Sequence, residues 1–449
     1  MPRAERASPA ANQSPPSSDQ RERPSEKWRA TLAALATRRW RALTPAAPTS
    51  AWWVPGRVEL LGKHTDYGGG RSLLCAIDRG IYLLAAARRD DTIRVWDAVQ
   101  GEGISFAGKA GAVPGAAAWA VYPGVVAQRL AQDFPGVGGG ADVVFASNLP
   151  PASGMSSSSA LMIAVFLGLA AGTSILEQLG GREQWAAYVA AVEGGKAWRG
   201  AGSAAGVGTH GGSEDHTAIL CCKSGTWSQF SFCPVRHEAD YAAPHGCQLV
   251  IGVSGVVAQK TGAARAAYNR AARLGGAVLE VWNAAAGRTG TPLAATLNDA
   301  CASGPEAVRA ALKSARHAEF TAPELEARLE QFWLESAVLI PAAGAALTRG
   351  DWNALGEIVA QSQHAAEHAL GNQVPETVAL VALARAHGAI AASAFGAGFG
   401  GAVWALAPAP EAEIFRAAWQ QAYCSQFPQR AASSQFFLTA AAPAAARMT

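Results

Sequence analysis

Charge is scarce in this sequence. Only 16% of its 449 residues are Asp, Glu, Lys or Arg, and the formal net charge is +3. A balance so near neutral gives no electrostatic footing for nucleic acid or an anionic membrane as a partner. Long hydrophobic runs are missing too. Stretches such as GAIAASAFGAGFGGAVWALAPA are broken by glycines and polar residues before they reach the roughly 20 apolar positions of a membrane span. Cysteine is sparse and irregular: Cys75, Cys221, Cys222, Cys233, Cys247, Cys301 and Cys424, with no C-x-x-C pair. An odd, scattered set reads as reduced thiols buried as small apolar groups, which favours the cytoplasm. Residues 1–27 are polar and rich in Pro, Ser and Arg. They lack the apolar centre of a signal peptide and read as a disordered tail. No internal repeat is visible.

What is present is core material. Half the residues are hydrophobic, and the length exceeds that of one ordinary core, so two domains are expected. Residues 79–98 read as two strands around a polar turn, 140–150 as a strand running into a loop, and 247–255 as a core strand. Helical spacing marks 119–134, 158–172, 182–198, 258–283, 323–348 and 411–427. Residues 389–408 read as strand, glycine loop, strand; 433–441 close with a strand, and the last ten residues read as a second loose end. The pattern predicts an α+β fold: a tail over 1–27, an N-terminal domain over 28–225 and a C-terminal domain over 226–449.

Four stretches carry chemistry. LPPASGMSSSSAL (149–161) ends a strand, passes a Pro/Gly loop and opens an apolar helix with four serines. A helix start offers unpaired N–H groups and the positive end of the dipole, glycine permits close approach, and hydroxyls add donors. This is a phosphate cradle rather than a row of simple N-caps, since one serine would suffice for capping. It is not a Walker loop, because the GK[ST] ending is absent. GVGTHGGSEDHTAIL (206–220) presents Glu214, Asp215 and His216 before an apolar run read as a buried strand; a carboxylate held there suits a catalytic base. His210, Glu214 and His216 are also of the type that binds zinc, but that spacing needs a helix, and two glycines argue against one. FGAGFGG (395–401) is a weak signal alone; beside the other two it suggests a second wall over a nucleotide. PGRVELLGKHTDYGGG (55–70) concentrates glycines, a proline, Arg57, Lys63, His64 and Asp66. A fixed guanidinium can steady a carboxylate or a transferring phosphoryl group, and Asp accepts from vicinal hydroxyls.

In this order, GRVELLGKHTDYGGG, LPPASGMSSSSA and FGAGFGGAV resemble the three motifs of the GHMP small-molecule kinases, and the first resembles the galactokinase pattern G-R-V-N-L-I-G-E-H-T-D-Y. WAVY (119–122) is similar to the family's W-A-N-Y, and TGAARAAYNRAAR (261–273) to its S-x-Y-x-x-R-R stretch. The resemblance covers about residues 50–440. It implies a two-domain GHMP kinase fold with the site in the cleft between domains, and ATP-dependent phosphorylation of a sugar's anomeric hydroxyl to a sugar 1-phosphate. It implies Asp215 as catalytic aspartate, paired with Arg57. Ser158 and Glu193 are implied as Mg²⁺ ligands, and Gly154, Ser156 and Ser157 as the triphosphate lining. Trp119 and Tyr122 would flank adenine, and His64, Asp66, Gly212 and Tyr268 would contact the sugar. The partner expected is a small-molecule sugar; the protein would be a monomer or dimer.

The departures bear on substrate. The family's Asn is Glu59 here, its Glu before His-Thr-Asp is Lys63, and its C-G-I-M-D-Q stretch reads G-G-S-E-D-H, with extra sequence between Glu193 and Asp215. In galactokinase-like enzymes that Glu accepts a hydrogen bond near the sugar's C6. Lysine only donates, so Lys63 would suit an acid or phosphate there, as in a hexuronic acid. The rival reading pairs Lys63 with Glu59, Asp66 or Glu214, or with an ordinary hydroxyl. A reading of a different class is a non-catalytic sugar and ATP sensor; a third keeps phosphoryl transfer but takes a non-sugar alcohol as acceptor, against which the His-Thr-Asp motif argues.

Overall fold

The computed structural model describes residues 24–108, 118–137, 139–151, 153–200, 206–257 and 262–449. Two long, apolar strands organise the larger sheet: β1 (Ser50–Leu61) and the 17-residue β2 (Arg71–Ala87), paired antiparallel. Outward from β2 follow β3 (Thr92–Asp97), β4 (Gly103–Ala107) and β5 (Ala141–Ser147), in the order β1-β2-β5-β3-β4. Only β3 and β5 run parallel. Both faces are covered, which explains the near-continuous apolar runs. Trp52, Val54, Leu83 and Ala85 pack on one side against the Ser157–Ala170 helix. Trp53 and Leu84 pack on the other, against Leu32, Ala36 and Trp40, one stripe at i, i+4, i+8 of the Pro24–Leu43 helix.

The chain stays in this sheet past residue 225. β6 (Thr226–Ser231) pairs with β2, and β7 (Arg236–Ala242) pairs with β6. A division at 225 therefore falls within one sheet; the second sheet begins with β8 (Cys247–Val253). With β9 (Ala391–Phe395), β10 (Ala402–Pro408) and β11 (Gln435–Thr439) it forms a four-stranded antiparallel sheet, order β11-β8-β10-β9, and the FGAGFGG segment connects β9 to β10. The Pro375–Ala386 and Ala412–Gln426 helices cover one face through Leu380, Phe415, Trp419 and Tyr423. Its other face joins the main core, where Trp404 meets Trp227 of β6 edge-on at 6.2 Å. Among the described residues no helix is long and apolar enough to cross a membrane.

Both chain ends differ from expectation. The tail reading lies outside the described residues up to 23, but from Pro24 onward the chain is helical, held by the Trp40 stripe. The last ten residues are not loose. β12 (Ala441–Ala442) pairs with β2, and β13 (Ala446–Met448) pairs with the outer edge of β1. Ala445 is buried; its N–H donates to the Ile219 carbonyl (2.8 Å), and its own carbonyl accepts from Arg182 Nη1 (2.7 Å). Alanine composition carries no order of its own here; the unpaired backbone of the β1 edge supplies it. Deleting residues 441–449 is expected to cost on the order of 3 kcal/mol and lower Tm by several degrees, read by thermal unfolding of the full and truncated chains. An unchanged Tm would mean the ending contributes no stability.

Candidate active site

β1 bends twice, with register shifts between Pro55 and Arg57 and between Glu59 and Leu61. Gly56 sits in the first: a Cβ there would lie 2.6 Å from Leu149 Cδ2 and 3.2 Å from the Met155 carbonyl oxygen, so glycine lets β1 approach both without displacing them. The bend delivers Arg57 to Asp215. Arg57 Nε and Nη2 donate to Asp215 Oδ1 at 2.8 and 2.6 Å, and Nη1 donates to the Gly154 carbonyl at 2.5 Å. Burial opposes the guanidinium charge, but Asp215, Glu214 and Glu59 outweigh it and hold its pKa above the usual value.

Asp215 stands in the first turn of a helix, Glu214–Cys221, where a strand was expected. The two glycines precede that helix instead of interrupting it. Gly212 has a specific reason: a Cβ would overlap the Asp66 carboxylate. That carboxylate caps the helix from outside, accepting from the Glu214 N–H (3.0 Å) and the Tyr67 N–H (2.8 Å). The helix also removes the zinc reading. Glu214 accepts from Ser72 Oγ at 2.5 Å, His216 Nε2 lies 3.0 Å from Glu193, and His210 is exposed. No group of three or more His, Cys, Asp or Glu able to hold a metal ion occurs among the described residues.

The serine segment forms the expected loop and helix start. Gly154 and Ser156 take left-handed backbone (φ 83° and 54°), and the helix runs from Ser157. Ser159, one residue beyond the expected ligand Ser158, joins two carboxylates: its hydroxyl lies 2.9 Å from Glu193 Oε2 and 3.4 Å from Asp215 Oδ2.

The opposite wall is the Lys63–Asp66 turn. His64 takes φ 57°. Its Nε2–H donates to the Ala397 carbonyl (3.0 Å), which leaves Nδ1 to accept from the Tyr67 hydroxyl (3.0 Å). Arg328, fully buried, donates through Nη2 to that hydroxyl (3.2 Å) and to the His64 carbonyl (2.5 Å). The Tyr67 hydroxyl reaches Nδ1 at 3.0 Å and the Ala271 carbonyl only at 3.5 Å, so its shorter contact is made when Nδ1 accepts and His64 is neutral. Burial, with Arg328 nearby, pushes its pKa down to about 4.

These groups converge on a cavity of about 680 Å³. Arg57, His64, Asp66, Trp119, Tyr122, Gly154, Ser156, Ser157, Ser158, Glu193, Gly212, Asp215 and Tyr268 all line it. Gly396 and Ala397 of the third glycine segment line it as well, so both sheets contribute. Lys63 is the exception. Its side chain is buried and absent from the cavity wall. Nζ donates to Ser362 Oγ (2.9 Å), and Ser362 donates to Glu335 Oε1 (2.9 Å), which also accepts the Gly62 N–H (2.7 Å). The expected substrate contact at Lys63 is therefore replaced by a buried structural one. Its partners, 270 or more positions away, could not be read from sequence. Three wall residues were not assigned to the site: Glu59, noted as a departure and as a partner for Lys63, and Glu214 and His216, which share the Asp215 stretch and were weighed as metal ligands. The alternation of β1 puts Glu59 on the same side as Arg57, which was the one available signal.

The galactokinase galactose-binding signature matches residues 43–87, the GHMP kinases N terminal domain residues 121–207, and the GHMP kinases C terminal domain residues 343–425. The chain thus carries stretches matching the N- and C-terminal domains of the GHMP kinases and, over β1 and β2, the galactose-binding signature of the galactokinases among them. Galactokinases of Bacillus subtilis (36% identical over 112 residues) and Haemophilus influenzae (35% over 118) align with 24% and 26% of this chain. The chain spans only about 30% of the length of these curated relatives, 29% and 31% respectively. In fold the likeness extends over most of the chain. The Lactococcus lactis galactokinase complexed with galactose superposes with a TM-score of 0.75 at 19% identity, covering 93% of this chain and 99% of that one. The Methanococcus jannaschii mevalonate kinase gives 0.54 at 12% identity, covering 89% and 99%.

Two measurements check the site. Lys63→Met leaves Glu335 and Glu59 without their buried cation and is expected to cost roughly 3–5 kcal/mol in denaturant unfolding; a loss below about 0.5 kcal/mol would mean the ammonium is solvated. For His64 the folded pKa is depressed, so the unfolded chain binds more protons in the window between. Stability should fall as pH drops from about 6.5 through about 4, and His64→Asn should flatten that slope in Tm against pH. Identical slopes in the two proteins would refute the buried, neutral histidine.

Proposed function

We propose that this protein is an ATP-dependent sugar kinase that phosphorylates the anomeric hydroxyl of galactose or a closely related hexose. The observation that carries the reading is the Arg57–Asp215 ion pair, set where the serine cradle meets the His64–Asp66 wall. The Ser156–Ser158 start of the helix, with its N–H groups and hydroxyls, suits the triphosphate, and Trp119 and Tyr122, which also line the cavity, suit adenine. Asp66 and His64 suit the sugar hydroxyls.

In this reading the anomeric hydroxyl lies against Asp215. As its oxygen bonds to the γ-phosphorus, the bond from phosphorus to the β,γ-bridging oxygen breaks, the hydroxyl proton passes to Asp215, and ADP leaves. Arg57 keeps Asp215 ionised beforehand and adds positive charge beside the transferring group. Ser158 and Glu193 offer a hydroxyl and a buried carboxylate, hard oxygen donors that fit Mg²⁺ and would hold it at the cradle. When bound, the ion would neutralise phosphate charge.

The uronic-acid reading loses its motive, because the Lys63 ammonium lies behind the wall. The sensor reading has no observation in its favour, since acid, cation and cradle share one cavity. Asp215→Asn should lower galactose-dependent ADP release by roughly 10²–10⁴-fold while galactose and ATP still bind by calorimetry. Unchanged turnover would remove Asp215 from the reaction.

A further inference from the structure

The extra sequence between Glu193 and Asp215 has no part in the scheme above, yet its last residues stand on the cavity wall: Val207, Thr209, Gly211 and Gly212. They lie on the side of His64 and Asp66. A Cβ on Gly212 would overlap the Asp66 carboxylate, and one on Gly211 would lie 2.6 Å from the Tyr268 hydroxyl. The Tyr268 ring is in turn 5.3 Å from the His64 ring, centre to centre.

Irregular backbone keeps one position only if its polar groups find fixed partners. The ends of this segment are held locally. The Val207 N–H donates to the Glu193 carbonyl (2.9 Å), and Lys196 Nζ donates to the Gly211 carbonyl (3.0 Å). Its middle is held from a distant part of the chain. The Gly262–Thr289 helix carries Arg265, Tyr268 and Asn269 at i, i+3 and i+4, one face of the helix. Asn269 Nδ2 donates to the Gly208 carbonyl (3.0 Å), and Asn269 Oδ1 accepts the His210 N–H (3.0 Å). A primary amide offers donor and acceptor side by side, so one side chain grips the backbone on both sides of Thr209. Among the described residues, the backbone from Gly208 to His210 is hydrogen-bonded through Asn269 alone. The same helix reaches the turn after β1, where the Tyr67 hydroxyl lies 3.5 Å from the Ala271 carbonyl. One rigid element thus sets the 206–212 segment against the His64–Asp66 wall.

We propose that Asn269 is a positioning residue for the acceptor: its amide fixes the 206–212 segment as the outer wall of the sugar side of the cavity. This rests on the sugar-kinase reading and assigns a task to the extra sequence before Asp215. Asn269 touches no reacting atom; it acts through the backbone it holds. The nucleotide side, built from Trp119, Tyr122 and the serine helix, does not depend on it.

The test uses the full chain as wild type, Asn269→Leu and Asn269→Asp. Leucine keeps the branching of asparagine and makes neither bond; aspartate keeps the acceptor for the His210 N–H and loses the donor to Gly208. Hydrogen–deuterium exchange read by mass spectrometry should show the 206–212 peptide exchanging at least about fivefold faster in Asn269→Leu. ADP release with ATP and Mg²⁺ should show the galactose KM raised about five- to tenfold in Asn269→Leu and less in Asn269→Asp, with the KM for ATP within about twofold of wild type. Unchanged exchange over 206–212 would overturn the assignment. So would faster exchange with a galactose KM within about twofold, and so would a rise of both KM values together, which marks a general loosening. Where Asn269→Leu fails to fold, Asn269→Asp decides by the same two readings. If no sugar yields ADP from wild type, the kinase reading fails by itself. Calorimetric titration of galactose then decides the role of Asn269: weaker binding to Asn269→Leu supports it, and equal or absent binding overturns it.

Discussion

A buried cation is the constraint around which the rest is arranged. Moving a guanidinium out of water costs several kcal/mol unless its donors are met with good geometry. Arg57 meets three of them, two on Asp215 and one on the Gly154 carbonyl. Each partner is brought there by a different element. Asp215 comes on the first turn of a helix whose leading N–H is capped by Asp66, a residue of the turn that follows β1. Gly154 comes on the loop that opens the serine helix, and Gly56 lets β1 lie close to Leu149 and Met155 on either side of it. The cation, the acid and the cradle are thus fixed by one another, so the reacting groups need little rearrangement before a substrate arrives.

The far wall is set by a second chain of polar contacts, from Arg328 through Tyr67 and His64 to Ala397. It holds a histidine in a left-handed backbone conformation that a non-glycine residue rarely adopts, and it ties the turn after β1 to the loop after β9. Between the two walls carboxyl groups accumulate. Burial, joined by its neighbour Glu335, lifts Glu59 to about 7 despite Lys63 and Arg57, and burial with Glu59 and Asp66 lifts Glu214 further above its ordinary value. The Glu59–Glu214 pair therefore titrates as a unit and holds a proton near neutral pH.

Much of this was legible in the sequence wherever local pattern decides structure. The serine helix, the successive strands β2 and β3, the β9–β10 glycine connection and the α+β class follow from periodicity and turn residues. What escaped depended on partners distant in the chain. The ending joins the sheet because β1 offers it an open edge, and nothing in an alanine-rich segment announces that. The Glu214–Cys221 helix was read as a strand because two glycines precede it, although its cap is an aspartate some 150 positions earlier. The site residues drawn from the motifs reach one cavity because the motifs encode backbone shape, through glycines and a strand bulge, as well as chemistry.

Positions 59 and 63 show how far that kind of reading extends. Sequence presents them as two departures from a family pattern, one gaining a negative charge and one turning negative to positive. Read singly, the lysine suggests an anionic substrate. In the fold the two are coupled: the Lys63 cation is the largest influence holding the Glu59 pKa down against burial. A lysine with only a hydroxyl for a hydrogen-bond partner would be costly in the core, and so would a buried glutamate; each lowers the cost of the other. The exchange leaves the local charge balanced while moving the acid from the turn to the strand, next to Arg57. Neither substitution is then interpretable alone. The pair moves the acid four positions back along the chain, from a turn whose side chain at 63 faces the core to a strand residue on the cavity wall.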